Sequence, residues 1–264
     1  MPALGFGTYR LRGETCARAV DAALRTGYRH IDTAAMYENE DAVGEGLRAS
    51  AVRRDDVFVT TKVWTDSIGA GALERSAEAS LKRLKLDRVD LLLIHWPNAT
   101  IPLAESIAAL NHALRLGYTR AIGVANFPSA LLDEAVRLSE APLAANQCEY
   151  HPLLDQSAVL TACRCHGVAF TSYCPLGRGD LTRDPSILAI AQRVGRAPSQ
   201  VILRWHLQQP DVCAIPMSSN PAHIAQNFDV FDFSLTAQDM AALSALARPD
   251  GRMVNPGFAP RWDV

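Results

Sequence analysis

The feature that most constrains this chain is an alternation. Eight short apolar runs recur along it: "ALGFGT" (3–8), "RHID" (29–32), "VFVTTKV" (57–63), "DLLLIHW" (90–96), "AIGVAN" (121–126), "AANQCEY" (144–150), "AFTSYCP" (169–175) and "VCAIPM" (212–217). Their apolar residues are nearly continuous, which is how strands buried on both faces of a parallel sheet read. Helical patterns lie between them. Leu73, Ala77, Leu81 and Leu84 fall on one face of such a segment, with Glu74, Glu78, Lys82 and Lys85 on others. The first helix repeats the logic with Cys16, Val20, Ala23 and Leu24, and Gly27 is its stop. Eight strand–helix units in 264 residues predict an α/β fold, a (β/α)8 TIM barrel, built as one domain over 1–264. The competing architecture is a doubly wound open sheet. It wants G-x-G-x-x-G after the first strand, and "GFGTYRL" supplies only the first two glycines.

Composition serves mainly to exclude. A net charge of −2 gives no basic excess for nucleic acid or an anionic membrane surface. No stretch approaches the roughly 18 apolar residues of a membrane span, and "MPALGFGTYRLRG" lacks the basic-then-apolar pattern of a signal peptide, so a cytoplasmic protein is expected. The six cysteines, Cys16, Cys148, Cys163, Cys165, Cys174 and Cys213, lack C-x-x-C spacing and read as buried reduced thiols; no metal is expected.

Nearly every predicted strand ends in a polar side chain: Thr8, Asp32, Lys62, His95, Asn126, Gln147, Tyr173 and Ser218. One strand-end Asn is ordinarily a turn residue. Eight are different, because a barrel brings its strand ends together at the face where barrel enzymes carry their sites. With Tyr37, the ionisable members Asp32, Lys62 and His95 suit carbonyl reduction. Hydride addition to a carbonyl leaves an alkoxide that needs a proton. A tyrosine, with a pKa of about 10, is a poor donor unless tuned. Lys62 is expected to supply the tuning, Asp32 to hold the lysine charged, and His95 to orient the carbonyl oxygen.

These residues sit in motifs that resemble the aldo-keto reductase family, in order along the whole chain: "GYRHIDTAAMYENE", "TTKVW", "LLLIHWP", "IGVANF", "NQCEYHP" and "SYCPLG". The resemblance implies a barrel that binds NADP(H), with NAD(H) as an alternative, and reduces a small-molecule carbonyl substrate as a monomer. It implies Tyr37 as general acid, with Asp32, Lys62 and His95 around it. It further implies that Asn126 and Gln147 bond the carboxamide, that Tyr173 stacks on the nicotinamide, and that Gly7, Thr8, Tyr9 and Asp32 line the same end. The loop Cys174, Pro175, Leu176, Gly177, Arg178 and Gly179 would face the pyrophosphate. Two positions depart from the family: Ala125 stands where Ser is common, removing one carboxamide bond, and Cys174 replaces another Ser.

At the adenosine end, "IPMSSNPAHIAQNF" (215–228) departs most. The family's usual "IPKS" lysine and the arginine six residues later are here Met217 and His223. Ser218, Ser219, Asn220, His223, Gln226 and Asn227 remain as adenosine-side candidates. Asn220 followed by Pro221 predicts a short helix whose first amides attract an anion. The loops around the substrate end are short, predicting an open pocket walled by Trp64, His95 and Trp96. The short chain, the missing N-terminal hairpin and the tail ending in "APRWD" resemble the bacterial family members that reduce 2,5-diketo-D-gluconate and methylglyoxal. Two other readings compete. One is a regulatory subunit that binds the cofactor without turnover, which would be expected to lack a catalytic residue. The other is a barrel hydrolase using Asp32 and Glu149, whose first acid is compromised by its pairing with Lys62.

Overall fold

A computed structural model describes residues 1–263. Eight parallel strands run in sequence order: β1 (Phe6–Gly7), β2 (His30–Asp32), β3 (Phe58–Val63), β4 (Val89–Ile94), β5 (Thr119–Ala125), β6 (Leu143–Glu149), β7 (Ala169–Tyr173) and β8 (Val212–Ala214). The sheet closes where Gly5 N–H donates to the Ala214 carbonyl at 2.9 Å and Gly7 N–H to that of Pro216 at 3.0 Å. Ten helices accompany the strands: α1 (Gly13–Thr26), α2 (Glu40–Ala49), α3 (Ala72–Leu84), α4 (Leu103–Arg115), α5 (Ser129–Leu138), α6 (Ser157–His166), α7 (Pro185–Val194), α8 (Pro198–Leu207), α9 (Pro221–Phe228) and α10 (Ala237–Ser244). Each predicted strand overlaps an observed one, with the last shortened to three residues.

Strand β4 shows why the runs are apolar throughout. All six of its residues are buried. Side chains alternate sides along a strand, so Leu92 and Ile94 join the large core shared with the helices, while Leu91 and Leu93 join Ala125 and Ala145 in a small separate core. The helix readings hold as well. Leu73, Ala77, Leu81 and Leu84 are the apolar buried face of α3, and Gly27 terminates α1 at φ 126°. Among the described residues no helix is long and apolar enough to cross a membrane.

The cysteines need one correction. Cys16, Cys148, Cys163 and Cys213 are buried and unpaired, but Cys165 is exposed and Cys174 is only partly covered. Cys163 and Cys165 sit two residues apart on α6, so one faces the core and the other faces solvent.

Candidate active site

The same period of two that fills the barrel puts chemistry at its upper end. Asp32 closes β2 opposite Thr60 of β3. Lys62, two residues beyond Thr60, therefore points the same way, and both groups are buried. Lys62 Nζ donates to Asp32 Oδ1 at 2.5 Å and to the Thr33 carbonyl at 2.8 Å, and lies 3.5 Å from Tyr37 Oη. Gln147 Nε2 donates to Asp32 Oδ2 at 2.7 Å. Both carboxylate oxygens are thus engaged by neighbours within the protein.

Tyr37 reaches this cluster from a single 3₁₀ turn, Ala35–Tyr37, directly after β2. The turn is braced by a residue that sequence reasoning missed. Buried Asn39 donates to the carbonyls of Thr8 at 2.8 Å and Leu11 at 3.0 Å, and accepts from Thr33 Oγ1 at 3.0 Å. Arg12 donates to the Tyr37 carbonyl. The only local signal is in "YENE", where Asn39 directly precedes a helix, the ordinary place of a cap. The Asn39 side chain makes no cap bond to α2.

His95 follows β4, with its ring edge-on to Tyr37 at 5.7 Å and to Trp64 at 5.1 Å between centroids. Burial, reinforced by the Lys62 charge, pushes its pKa well below the ordinary value, so the imidazole is neutral. The tuning expected of Lys62 is not what the geometry gives. Burial first, and then the Asp32 charge, raise the Tyr37 hydroxyl well above its ordinary pKa. The ammonium is already matched by a carboxylate 2.5 Å away, so little of its field is left for the phenol. Burial also lowers the Lys62 pKa, against the opposing pull of Asp32.

These groups open into a cleft of about 430 Å³. Of the expected residues, Gly7, Thr8, Tyr9, Asp32, Tyr37, His95, Trp96, Asn126, Gln147, Tyr173, Cys174, Pro175, Leu176, Arg178 and Gly179 all line it. Gly7 is required at its floor, where a Cβ would come within 2.9 Å of the Ile215 carbonyl oxygen. Asn126 takes a left-handed backbone at φ 64°, donates to the His95 carbonyl at 2.9 Å and accepts from Tyr173 Oη at 2.8 Å. Past Tyr173 the chain turns through positive φ at Cys174, Gly177, Arg178 and Gly179. Arg10, Met36 and Val254 line the cleft too and were not anticipated.

Other expected residues lie elsewhere. Trp64 is not among the residues that line the cleft and packs edge-on against His95 at its rim, at 5.1 Å between centroids. Ser218, the expected eighth strand end, falls beyond β8 and accepts from Asn220 N–H at 3.1 Å. Asn220 caps α9 through the Ala222 N–H at 2.9 Å, as expected of the Asn-then-Pro start. Ser219, His223 and Gln226 are exposed and Asn227 is buried, while Ile215, Pro216 and Met217 are the residues of this segment that reach the cleft.

The open pocket also needs revision. The terminal segment crosses the site: Phe258 packs edge-on against Trp64 at 5.8 Å and Trp96 at 5.6 Å, and Trp262 meets Trp96 at 5.9 Å. Glu149 is spent on holding this segment, as its carboxylate accepts from the backbone N–H groups of Met253 at 2.7 Å and Val254 at 2.8 Å. It is therefore not the second acid of a hydrolase. Among the described residues no group of His, Cys, Asp and Glu could hold a metal ion.

The donor set fits a nicotinamide cofactor. The two strand-end amides offer both donors and acceptors, a tyrosine ring stands at the cleft wall, and Arg178 extends from a loop whose backbone can approach a ligand closely. A barrel with an ionisable cluster of this kind defines an oxidoreductase acting on carbonyls. The chain belongs to the aldo/keto reductase family, whose model matches residues 3–248. It is 40% identical over 267 residues to the methylglyoxal reductase of Yersinia pestis, covering 100% of this chain and 99% of that protein. A solved structure provisionally described as a 2,5-diketo-D-gluconic acid reductase B superposes with a TM-score of 0.98 at 48% identity, covering 100% of this chain and 94% of that one. The Bombyx mori aldo-keto reductase in complex with NADP superposes with a TM-score of 0.87 at 33% identity, covering 94% and 89%.

Proposed function

We propose that this enzyme reduces small aldehydes and α-dicarbonyls with NADPH, using Tyr37 as the proton donor. The observation that carries the reading is the contact chain Gln147–Asp32–Lys62–Tyr37, standing beside a neutral His95 at the wall of one cleft. When bound, the dihydronicotinamide supplies the hydride. Tyr37 and His95 each donate a hydrogen bond to the carbonyl oxygen, and the negative charge that develops there draws the proton from Tyr37. A hydroxyl whose pKa is raised keeps that proton through the neutral range, while an alkoxide is basic enough to take it. Lys62 and Asp32 form a buried pair of no net charge that fixes the phenol from one side. Asn126 and Gln147 hold the carboxamide, Tyr173 packs on the ring, and Arg178 faces the pyrophosphate. The cleft is complete within one chain, which supports a monomer. The unpaired cysteines fit a reducing, cytoplasmic setting.

The test is NADPH consumption against methylglyoxal, diketogluconate, aromatic aldehydes and small ketoesters. Turnover of several small carbonyls within about two decades of one another is expected, because an apolar wall discriminates weakly. Absence of turnover with every carbonyl, together with retained NADPH binding, would favour the regulatory reading instead.

Cofactor preference follows from the adenosine side. Met217 and His223 stand where cations would clamp a 2′-phosphate, leaving Ser218, Ser219, Asn220 and the first amides of α9 as neutral donors, with Gln226 and Asn227 further along the helix. NADPH is therefore used with a weakened preference over NADH. The NADPH-to-NADH ratio of kcat/KM measures it, and a large ratio would show that other donors carry the 2′-phosphate. His223→Arg should tighten NADPH by up to about 1.5–3 kcal/mol.

A further inference from the structure

The described residues beyond α10 form no helix or strand, so no backbone ladder fixes their path across the substrate wall. Two anchors do. At the far end, Asp263 accepts from Ser129 N–H at 2.9 Å and from Ser129 Oγ at 2.6 Å, capping α5. At the near end stands Glu149, wholly buried at the top of β6. Its Oε1 takes the Met253 N–H at 2.7 Å and His151 Nε2 at 2.9 Å, and its Oε2 takes the Val254 N–H at 2.8 Å. Gly251 lies so close to the chain beneath that a Cβ there would sit 1.7 Å from the Leu153 carbonyl oxygen. The segment is thus clamped just before it turns toward the cleft. Val254, the next residue, lines the cleft, and Arg178 of the loop after β7 donates to the Met253 carbonyl at 3.3 Å.

A carboxylate suits this task and an amide does not. Two oxygens can accept two backbone N–H groups at once, whereas an amide of the same shape turns one acceptor into a donor and sets it against an N–H. A buried carboxylate is costly to maintain unless its hydrogen bonds are satisfied. Here both oxygens are used, and nothing in the carbonyl chemistry needs this acid.

We propose that Glu149 is a positioning residue for substrate selection. Through the N–H groups of Met253 and Val254 it holds the segment that carries Phe258 and Trp262 against Trp64 and Trp96, and so sets the wall that large carbonyls touch. Small carbonyls, which bond Tyr37 and His95 and little else, do not depend on it. This rests on the carbonyl-reductase reading above.

Glu149→Gln tests it in the full-length enzyme. Amide hydrogen exchange at Met253 and Val254 should accelerate at least about tenfold, as expected for loss of one buried hydrogen bond. The KM for a naphthaldehyde should rise by roughly tenfold, the scale of a lost aromatic contact, with kcat and the KM for methylglyoxal within about twofold of wild type. Added to Phe258→Ala, Glu149→Gln should produce little further change, because both act through one wall. Met253→Pro deletes the other donor, at a residue that does not line the cleft, and should reproduce the pattern with exchange read at Val254, which covers the case of a Glu149 variant that fails to fold. Unchanged exchange, an equal loss with both substrates, or an effect that persists fully beside Phe258→Ala would overturn the proposal. Failure of the functional reading looks different: the wild-type enzyme would turn over neither substrate, whatever the exchange at Met253 and Val254.

Discussion

Tyr37→Phe is expected to lower kcat by about two to four decades, the usual worth of a positioned general acid, while NADPH binding stays within a few-fold of wild type. The ring of Phe keeps the packing of Tyr37 against Tyr9 at 5.1 Å and His95 at 5.7 Å between centroids, so the loss isolates the hydroxyl. The pH dependence sharpens the test. With burial raising the Tyr37 pKa well above its ordinary value and lowering that of His95, neither group titrates between about pH 6.5 and 10. The rate of carbonyl reduction in the wild type should therefore be level across that window when chemistry is limiting. It should decline only in stronger alkali, as the Tyr37 proton is lost. Stopped-flow hydride transfer at several pH values measures this. More than a tenth of wild-type kcat retained by Tyr37→Phe would remove Tyr37 from the proton-donor role. A rate that rises or falls through pH 7 would contradict the neutral histidine.

Lys62→Met should be severe in a second currency, stability. Lys62 and Asp32 are 0% and 1% exposed and in contact at 2.5 Å, so removing the lysine leaves a carboxylate buried with only Gln147 as its partner. Breaking a buried pair from one side costs about 3–5 kcal/mol, whereas removing both charges costs much less. Lys62→Met is thus expected to lower Tm by several degrees as well as to abolish most turnover. Lys62→Met combined with Asp32→Asn should recover much of the Tm and none of the rate. That split is the measurement that matters. If the double variant regained activity along with Tm, Lys62 would be a structural residue alone.

The barrel was legible because its strands are buried on both faces, which writes eight apolar runs directly into the chain. The residues at the strand ends were legible for a related reason: a polar group at the end of a run such as "DLLLIHW" has few purposes other than a site. What escaped were contacts made between segments distant in sequence. Asn39 looks like a helix cap and instead ties together the loops from Thr8 and Thr33. Glu149 looks like a strand-end acid, and its partners lie more than a hundred residues later. The closing of the pocket escaped too, because nothing local in "RPDGRMVNPGFAPRWDV" says which surface it covers. The direction of the Tyr37 shift was also illegible, since it depends first on how deeply the hydroxyl is buried and then on the Asp32 charge, and only the folded chain decides both.

The two ends of the chain do not have equal standing for anyone who handles this protein. Residues 3–5 join the sheet from the face opposite the cleft, where Ala214 N–H donates to the Ala3 carbonyl at 2.9 Å, so an affinity handle or fusion partner added there hangs away from the site. Asp263, at the other end, is itself a fastener, seated on Ser129 at the start of α5. A handle attached after it would pull on the strap that carries Phe258 and Trp262. Preparations tagged at opposite ends would then rank the same carbonyls differently, and that difference would belong to the tag rather than to the enzyme.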